Sequence, residues 1–202
     1  MPNDISITRR GLLALGLSGT LVAALPRSAL ALDDAQARAL VDQAIGEINA
    51  TINSGKSESA MYGDFERIFA RYADVPVIAR SVLGPAAKTA SPAQIQAFTK
   101  AYQGYLSRKY GRRFREFIGG KIEVTGAKPV KSYYEVQSVC YLKGESPFDL
   151  RWYVSDKSGK NLFFNIIIEG VNMLSSERTE IGAMLDQNGG NIDKLIAQLN
   201  KS

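Results

Sequence analysis

The chain has 202 residues, of which 45% are hydrophobic and 22% charged, and its formal net charge is +5. This composition is typical of a folded globular protein, and the length leaves room for one domain once an export signal is removed. The sequence contains no histidine and one cysteine. It therefore excludes Ser-His-Asp and Cys-His catalytic pairs, histidine-ligated metals, intrachain disulfides and CxxC redox sites, and we expect no cofactor and no metal.

Residues 1–31 have the pattern of a cleaved signal peptide. Thr8-Arg9-Arg10 ends a charged segment, residues 12–25 are apolar, and Ala29-Leu30-Ala31 provides the small residues of a cleavage site. The apolar stretch is shorter than the roughly 20 residues that a membrane-spanning helix needs. The Thr-Arg-Arg-Gly-Leu-Leu order resembles a twin-arginine export signal, and an ordinary Sec signal is the alternative. We predict cleavage after Ala31, which leaves residues 32–202 as one exported domain.

The mature chain is only mildly basic. Cleavage removes three positive charges and one negative charge, so the net charge falls from +5 to +3. Export and this weak charge argue against nucleic acid as a partner.

Helical periodicity dominates the first half of the mature chain. A first helix is predicted from Asp33 to about Ile52, and a second carries an aromatic face that ends at Tyr72. A short third helix begins near Pro76 and ends before Gly84-Pro85. The capping box Ser91-Pro92-Ala93-Gln94 opens a long fourth helix. Its apolar stripe predicts that it continues to Gly119-Gly120, with a bend at Gly111.

The periodicity changes to two after Gly120, which predicts four antiparallel strands at 121–125, 132–142, 148–155 and 162–169. In the third strand, Phe148, Leu150, Trp152 and Val154 share one face, and Asp149, Arg151 and Tyr153 share the other. Cys140, in the second strand, is expected to be a buried structural thiol. Two helices follow, one after Ser175 or Ser176 and one capped by Asn191. The order predicts an α+β fold in which helices cover one side of a curved sheet.

Three stretches of the sequence resemble the MlaC or toluene-tolerance family of periplasmic phospholipid-binding proteins. They are residues 75–84 (VPVIARSVLG), residues 91–110, and Ile168-Glu169-Gly170-Val171-Asn172. The chain departs from the family pattern at Asn161, Asn165 and Asn172. The resemblance covers essentially the whole mature chain, with the stretches in the family's order.

The resemblance implies a cystatin-like α+β fold in which a curved antiparallel sheet of about four strands and its helices enclose an apolar cavity. The family's members carry glycerophospholipid between an outer-membrane lipoprotein complex and an inner-membrane ABC transporter with an MCE-domain subunit. No catalytic residue is implied, and we expect a monomer. The implied lipid contacts are Phe69, Ile78, Val82, Leu83, Tyr102, Tyr105, Leu106, Val136, Trp152, Phe164, Ile166, Ile168 and Val171. For each of these side chains, ordinary close packing in the core is the alternative.

Basic residues are concentrated in the second half of the long helix. Arg108, Arg112, Arg113 and Arg115 lie close together in sequence and fall largely on one helical face. A solvated face explains them, and docking to an acidic partner or to anionic head groups is the functional alternative.

Two other functions fit the same sequence. One is a periplasmic binding protein for another hydrophobic ligand, such as a sterol-like lipid. The other is an isomerase, since cystatin-like cavities can host an Asp base beside a Tyr donor. Asp149 and Tyr153 would be that pair, but the strand pattern puts them on the solvent face.

Overall fold

The structure of the protein is a computed structural model that describes residues 32–112 and 117–201. The predicted signal peptide and its cleavage site therefore lie outside the described residues. Arg113 and Arg115, two of the predicted docking residues, lie outside them as well.

The described residues form six α-helices, and apart from the end of α4 and the start of α5 these lie close to the predicted positions. They are α1 (Asp34–Ile52), α2 (Glu58–Tyr72), α3 (Val75–Leu83), α4 (Pro92–Gly111), α5 (Met173–Gln187) and α6 (Ile192–Leu199). The predicted capping box is confirmed, because the Ser91 side chain accepts from the Gln94 amide at 3.2 Å while the Gln94 side chain accepts from the Ser91 amide. Asp33 and Gln36 form a second box at the start of α1. Both boxes satisfy amides that the first helical turn leaves unpaired.

The described residues form one sheet of five antiparallel strands in chain order. They are β1 (Lys121–Val130), β2 (Tyr133–Tyr141), β3 (Phe148–Ser155), β4 (Leu162–Ile168) and β5 (Val171–Asn172). The α+β prediction is confirmed and all four predicted strands are present, but β1 continues beyond its predicted end at Thr125, where a bulge interrupts the alternation. The sequence missed β5, which has too few residues to show a periodicity of two. Glu169 and Gly170, with φ of 50° and 82°, form the tight turn that pairs β5 with β4.

One face of the sheet points into the core and is called the inner face. Val136, Trp152 and Val154 are buried on it, whereas Asp149 and Arg151 are exposed on the opposite, outer face. Helix α1 packs along β1 and β2. The predicted division of the third strand into a buried and a solvent face is confirmed.

A bulge in β4 reverses the expected side-chain alternation. Tyr153 pairs with Asn165, but the next residue, Val154, pairs with Phe163, so that Phe164 is the extra residue. Phe163 therefore shares the inner face with Val154, and Phe164 points to the outer face. The predicted lipid contact Phe164 therefore lies on the opposite face of β4 from the predicted contacts Ile166 and Ile168.

Helix α4 ends earlier than predicted. It ends at Gly111, and Phe117 belongs to a separate turn that leads into β1. A Cβ at position 111 would lie 2.6 Å from the Tyr62 ring, so glycine is required for α2 and α4 to approach each other. The apolar stripe could not show where the helix ends, because apolar residues of the following turn continue its spacing.

Helix α5 begins at Met173, before Ser175 and Ser176, after which it was predicted to begin, and Asn172 caps it. The Asn172 side-chain oxygen accepts from the Ser175 amide and from the Asn165 side chain, both at 3.1 Å. Asn165 is buried and also accepts from the Leu174 amide. Two of the three asparagines that depart from the family pattern thus form one hydrogen-bonded unit.

The Asn191 cap of α6 is confirmed.

Candidate functional site

The predicted lipid contacts occupy three kinds of environment. Buried positions are Ile78, Val82, Leu83, Tyr102, Tyr105, Leu106, Val136 and Trp152. Phe69, Ile166 and Ile168 are half-buried against the core. Phe164 lies on the outer face, where its ring meets Tyr133 at 5.6 Å and Tyr153 at 6.0 Å. Val171 is 54% exposed at the sheet edge.

Three rings from β3, β4 and α2 form the interior aromatic cluster, defined as Phe69, Trp152 and Phe163. The centroid of Phe163 lies 5.4 Å from that of Trp152 and 6.1 Å from that of Phe69, and both pairs meet edge to face. The Trp152 indole N–H donates to the Ser138 hydroxyl at 3.0 Å inside the core. This bond fixes the indole, because a buried donor without a partner is costly.

The main chain joins helices and sheet at the same place. The Asp74 amide donates to the Phe163 carbonyl at 2.8 Å, and Ala73 forms a parallel bridge with Phe163. The Asp74 side chain also caps α3 by accepting from the Val77 amide. The junction between α2 and α3 is therefore held against the first half of β4.

Half-buried side chains lie on the inner face of β3 and β4 away from this junction, next to Leu150, which is only 5% exposed. Val154 and Phe163 are buried near it, whereas Phe148 and Ile168 are only half-buried at the opposite end of the two strands. We call that opposite end the far end. The register also places Val171 there, beside Ile168. Exposed Ile118, which is 53% accessible, precedes the first residue of β1 at the far end as well.

A polar network joins α4 to α5. Glu177, which is 4% exposed, accepts from Lys109 at 2.7 Å, from Tyr102 at 3.3 Å and from Tyr110. Glu180 accepts from Lys109 and Tyr105. The polar network is defined as Tyr102, Tyr105, Lys109, Tyr110, Glu177 and Glu180.

The charges of the network stabilise one another. Burial and the hydrogen bond to Glu180 raise the pKa of Tyr105 to about 12. Burial alone would lower the pKa of Lys109, but hydrogen bonds to Glu177 and Glu180 raise it above its ordinary value. Burial would raise the pKa of Glu180, but the bonds from Lys109 and Tyr105 hold it below its ordinary value. The ammonium and the Glu180 carboxylate are thus both charged at neutral pH.

Two surface clefts of about 300 Å³ are lined by described residues, and both are polar. One borders the polar network and includes Arg112 and Met184. The other lies between α1 and α2 and is lined by charged residues such as Glu47 and Arg71. Neither cleft is lined by the inner face of the sheet.

Among the described residues, few side chains are placed where they could act as a nucleophile, a general base or a metal ligand. Cys140 is buried, and burial raises its pKa to about 11, so the thiol is a poor nucleophile. No group of acidic or cysteine side chains in the described ranges could hold a metal ion. Asp149 and Tyr153 lie on the outer face, as predicted. Within the described part of the chain, no helix is long and apolar enough to cross a membrane.

The predicted docking residues have different surroundings. Arg108 is half-buried and donates to the Leu199 carbonyl at the end of α6, at 2.6 Å. Such a bond satisfies a terminal carbonyl, so Arg108 contributes to holding α6 on α4. Arg112 is exposed.

Sequence reasoning missed Phe163 and the two glutamates of α5. The bulge that turns Phe163 inward leaves no mark in the sequence of β4. Glu177 and Glu180 are three residues apart and share a helix face, which is a weak signal for a polar face opposite the tyrosines of α4.

Comparisons with known proteins agree on one family. A model of the MlaC protein family matches residues 38–201. The toluene tolerance protein ttg2D of Pseudomonas putida is 26% identical over 198 residues, which cover 95% of this chain and 89% of that protein.

A solved structure has the same fold. It is the phospholipid-binding protein from Ralstonia solanacearum in complex with a phospholipid, with a TM-score of 0.68 and 19% identity, covering 81% of this chain and 98% of that chain. The family match spans most of the chain, and the element order agrees with the α+β fold described above. The chain therefore belongs to the MlaC protein family.

Proposed function

We propose that the protein is a periplasmic phospholipid carrier, and not an enzyme, that holds acyl chains between the inner face of the sheet and the helices. The observation that carries this proposal is the shared fold with a protein that was solved with a phospholipid bound. Membership of the MlaC family supports it.

The distribution of apolar surface supports the same proposal. Phe148, Ile166 and Ile168 face inward without being fully buried, so they offer apolar surface that an acyl chain can cover. Each methylene moved from water into such a site gains about 0.8 kcal/mol. The exposed side chains of Ile118 and Val171 flank the far end. We infer that acyl chains enter at the far end.

Native mass spectrometry of the full chain, purified from the periplasm, tests the proposal. We expect a bound mass equal to that of a phospholipid, with the lipid identified after extraction. A bound sterol-like mass would favour the alternative ligand class. Protein that carries no lipid and takes none up from phospholipid vesicles would contradict the proposal.

A charge placed on the inner face gives a second test. Ile168→Asp should reduce phospholipid retention about tenfold or more, because the carboxylate would be desolvated beside an acyl chain. Thr125→Asp adds the same charge at an exposed position of β1 and is the matched control. Equal retention in the two variants would argue against lipid at the inner face.

The family resemblance extends the proposal to transport. We infer export with cleavage after Ala31, and delivery of lipid between an outer-membrane lipoprotein complex and an inner-membrane ABC transporter with an MCE-domain subunit. Arg112 is an exposed basic residue at the end of α4 that fits an acidic docking surface. The double substitution Arg112→Glu and Arg113→Glu should slow lipid transfer to the transporter without changing retention. Lys100→Glu, at an exposed position earlier in α4, is the control; equal transfer by both would rule out docking here.

A further inference from the structure

At Phe163 the helices and the sheet are in direct contact. There the main chain of Asp74 is bonded to that of Phe163 at 2.8 Å. A hydrogen bond of this length leaves no room for an acyl chain between the α2–α3 junction and β4.

The interior aromatic cluster extends this contact across the interior. The Phe163 ring lies between Trp152 and Phe69, with centroid distances of 5.4 Å and 6.1 Å, so rings from two strands and one helix are in continuous contact. Trp152 is 4% exposed and Phe163 is 6% exposed. The apolar surface that is left accessible on the inner face of β4, at Ile166 and Ile168, begins immediately beyond the cluster.

We propose that the interior aromatic cluster is the end of the lipid cavity and sets the longest acyl chain that the protein carries. This inference rests on the proposed carrier function and adds the residues that determine its chain-length specificity. A chain that enters at the far end passes Ile168 and Ile166 and ends against Phe163. Further methylenes have no apolar site to occupy and remain in water.

The hydrophobic effect determines how much the affinity for a longer acyl chain should change when this limit is moved. A methylene buried in an apolar site raises affinity about fourfold. Phe163→Ala removes a ring at the end of the path, so chains longer by two methylenes should gain up to about 16-fold over the wild-type preference. Phe164→Ala removes the same ring from the next residue, which points to the outer face, and should change nothing.

The experiment is a competition among synthetic phosphatidylglycerols that differ only in saturated acyl length, offered to the full-length mature protein and read by native mass spectrometry. Phe163→Ala should shift the bound masses to longer chains, and Phe164→Ala should match the wild type. A Phe163→Ala protein that stays folded by circular dichroism and keeps the wild-type distribution would overturn the inference. Absence of any bound phosphatidylglycerol in the wild type would instead count against the carrier function itself.

A second variant should shift the chain-length preference in the opposite direction, and its result does not depend on whether Phe163→Ala folds. Ile166 is half-buried and pairs with Trp152 across the strands, so Ile166→Phe should fit and lengthen the closed part of the path. We expect it to shift binding to shorter chains. If Ile166→Phe binds the wild-type distribution of lengths, the cluster does not set the limit.

Discussion

Two contacts in the protein are held by different physical means. Near Phe163, the helices meet the sheet through a main-chain hydrogen bond and packed rings. Between α4 and α5, the contact is held by the polar network around Lys109 and Glu177. Apolar packing depends little on pH or salt, whereas charged pairs depend on both. The contact between α4 and α5 can therefore be weakened by changing a single charge.

The largest expected effect comes from removing the cation of the polar network. Lys109→Met leaves Glu177 buried beside Glu180 without a positive partner, and breaking a buried pair in this way costs about 3 kcal/mol of unfolding free energy. Urea unfolding at neutral pH measures the loss. Lys100→Met, at an exposed position of the same helix, is the control.

The same variant has a characteristic pH dependence. Without Lys109, burial and the second carboxylate disfavour the charged form of Glu180, so its pKa in the folded state should rise above the unfolded value. Stability of Lys109→Met should therefore increase as the pH is lowered toward about 4, where a carboxylate gains a proton. A loss that is equal at neutral and acidic pH would contradict the assignment of the network as charged.

A smaller loss of different character is expected at the interior aromatic cluster. Ser138→Ala removes the acceptor of the Trp152 indole N–H, and a buried donor without a partner costs about 2 kcal/mol. Neither group titrates, so the loss measured by urea unfolding should be the same at about pH 7 and about pH 5. A loss that changes over this range would show that the aromatic cluster depends on pH as the polar network does.

The sequence was sufficient where local rules determine the structure. The bounds of β3 follow from its alternation, and the start of α4 follows from the capping box at Ser91. The sequence was insufficient where a residue far away in the sequence determines the local structure. The need for glycine at position 111 depends on the ring of Tyr62, and the direction of Phe163 depends on how β4 pairs with β3.

The candidate site shows the same division. The inner face of β3 was predicted, because a strand pattern reports which side chains share a face. The pairing of Glu177 with Lys109 was not predicted, because it requires the packing of two helices that are far apart in sequence. Residues that line an interior can thus be found from one strand, but residues that close it require the tertiary fold.

A still smaller difference should separate two helix caps. Asn172 and Asn191 both cap helices through their side-chain oxygens, and replacing such a cap by alanine costs about 1 kcal/mol. Asn172→Ala also removes a partner of the buried Asn165 side chain, so it should cost more than Asn191→Ala. Thermal unfolding of the two variants measures the difference. Equal losses would mean that the bond to Asn165 adds nothing to the attachment of α5.

The smallest effect concerns Glu180 in the unaltered network. Its pKa is held below the ordinary value of 4.5, so the stability that it contributes is present above the unfolded pKa and is lost as the pH falls through the folded one. The Glu180 side chain is 40% exposed, and solvent screening keeps this contribution small. The stability difference between wild type and Glu180→Gln should therefore be largest at neutral pH and decrease as the pH falls below the unfolded value. Raising the salt concentration should reduce it at neutral pH, because the pair with Lys109 reaches solvent. A difference that does not decrease with falling pH would show that Glu180 acts through packing, and the contact between α4 and α5 would then resemble the one at Phe163.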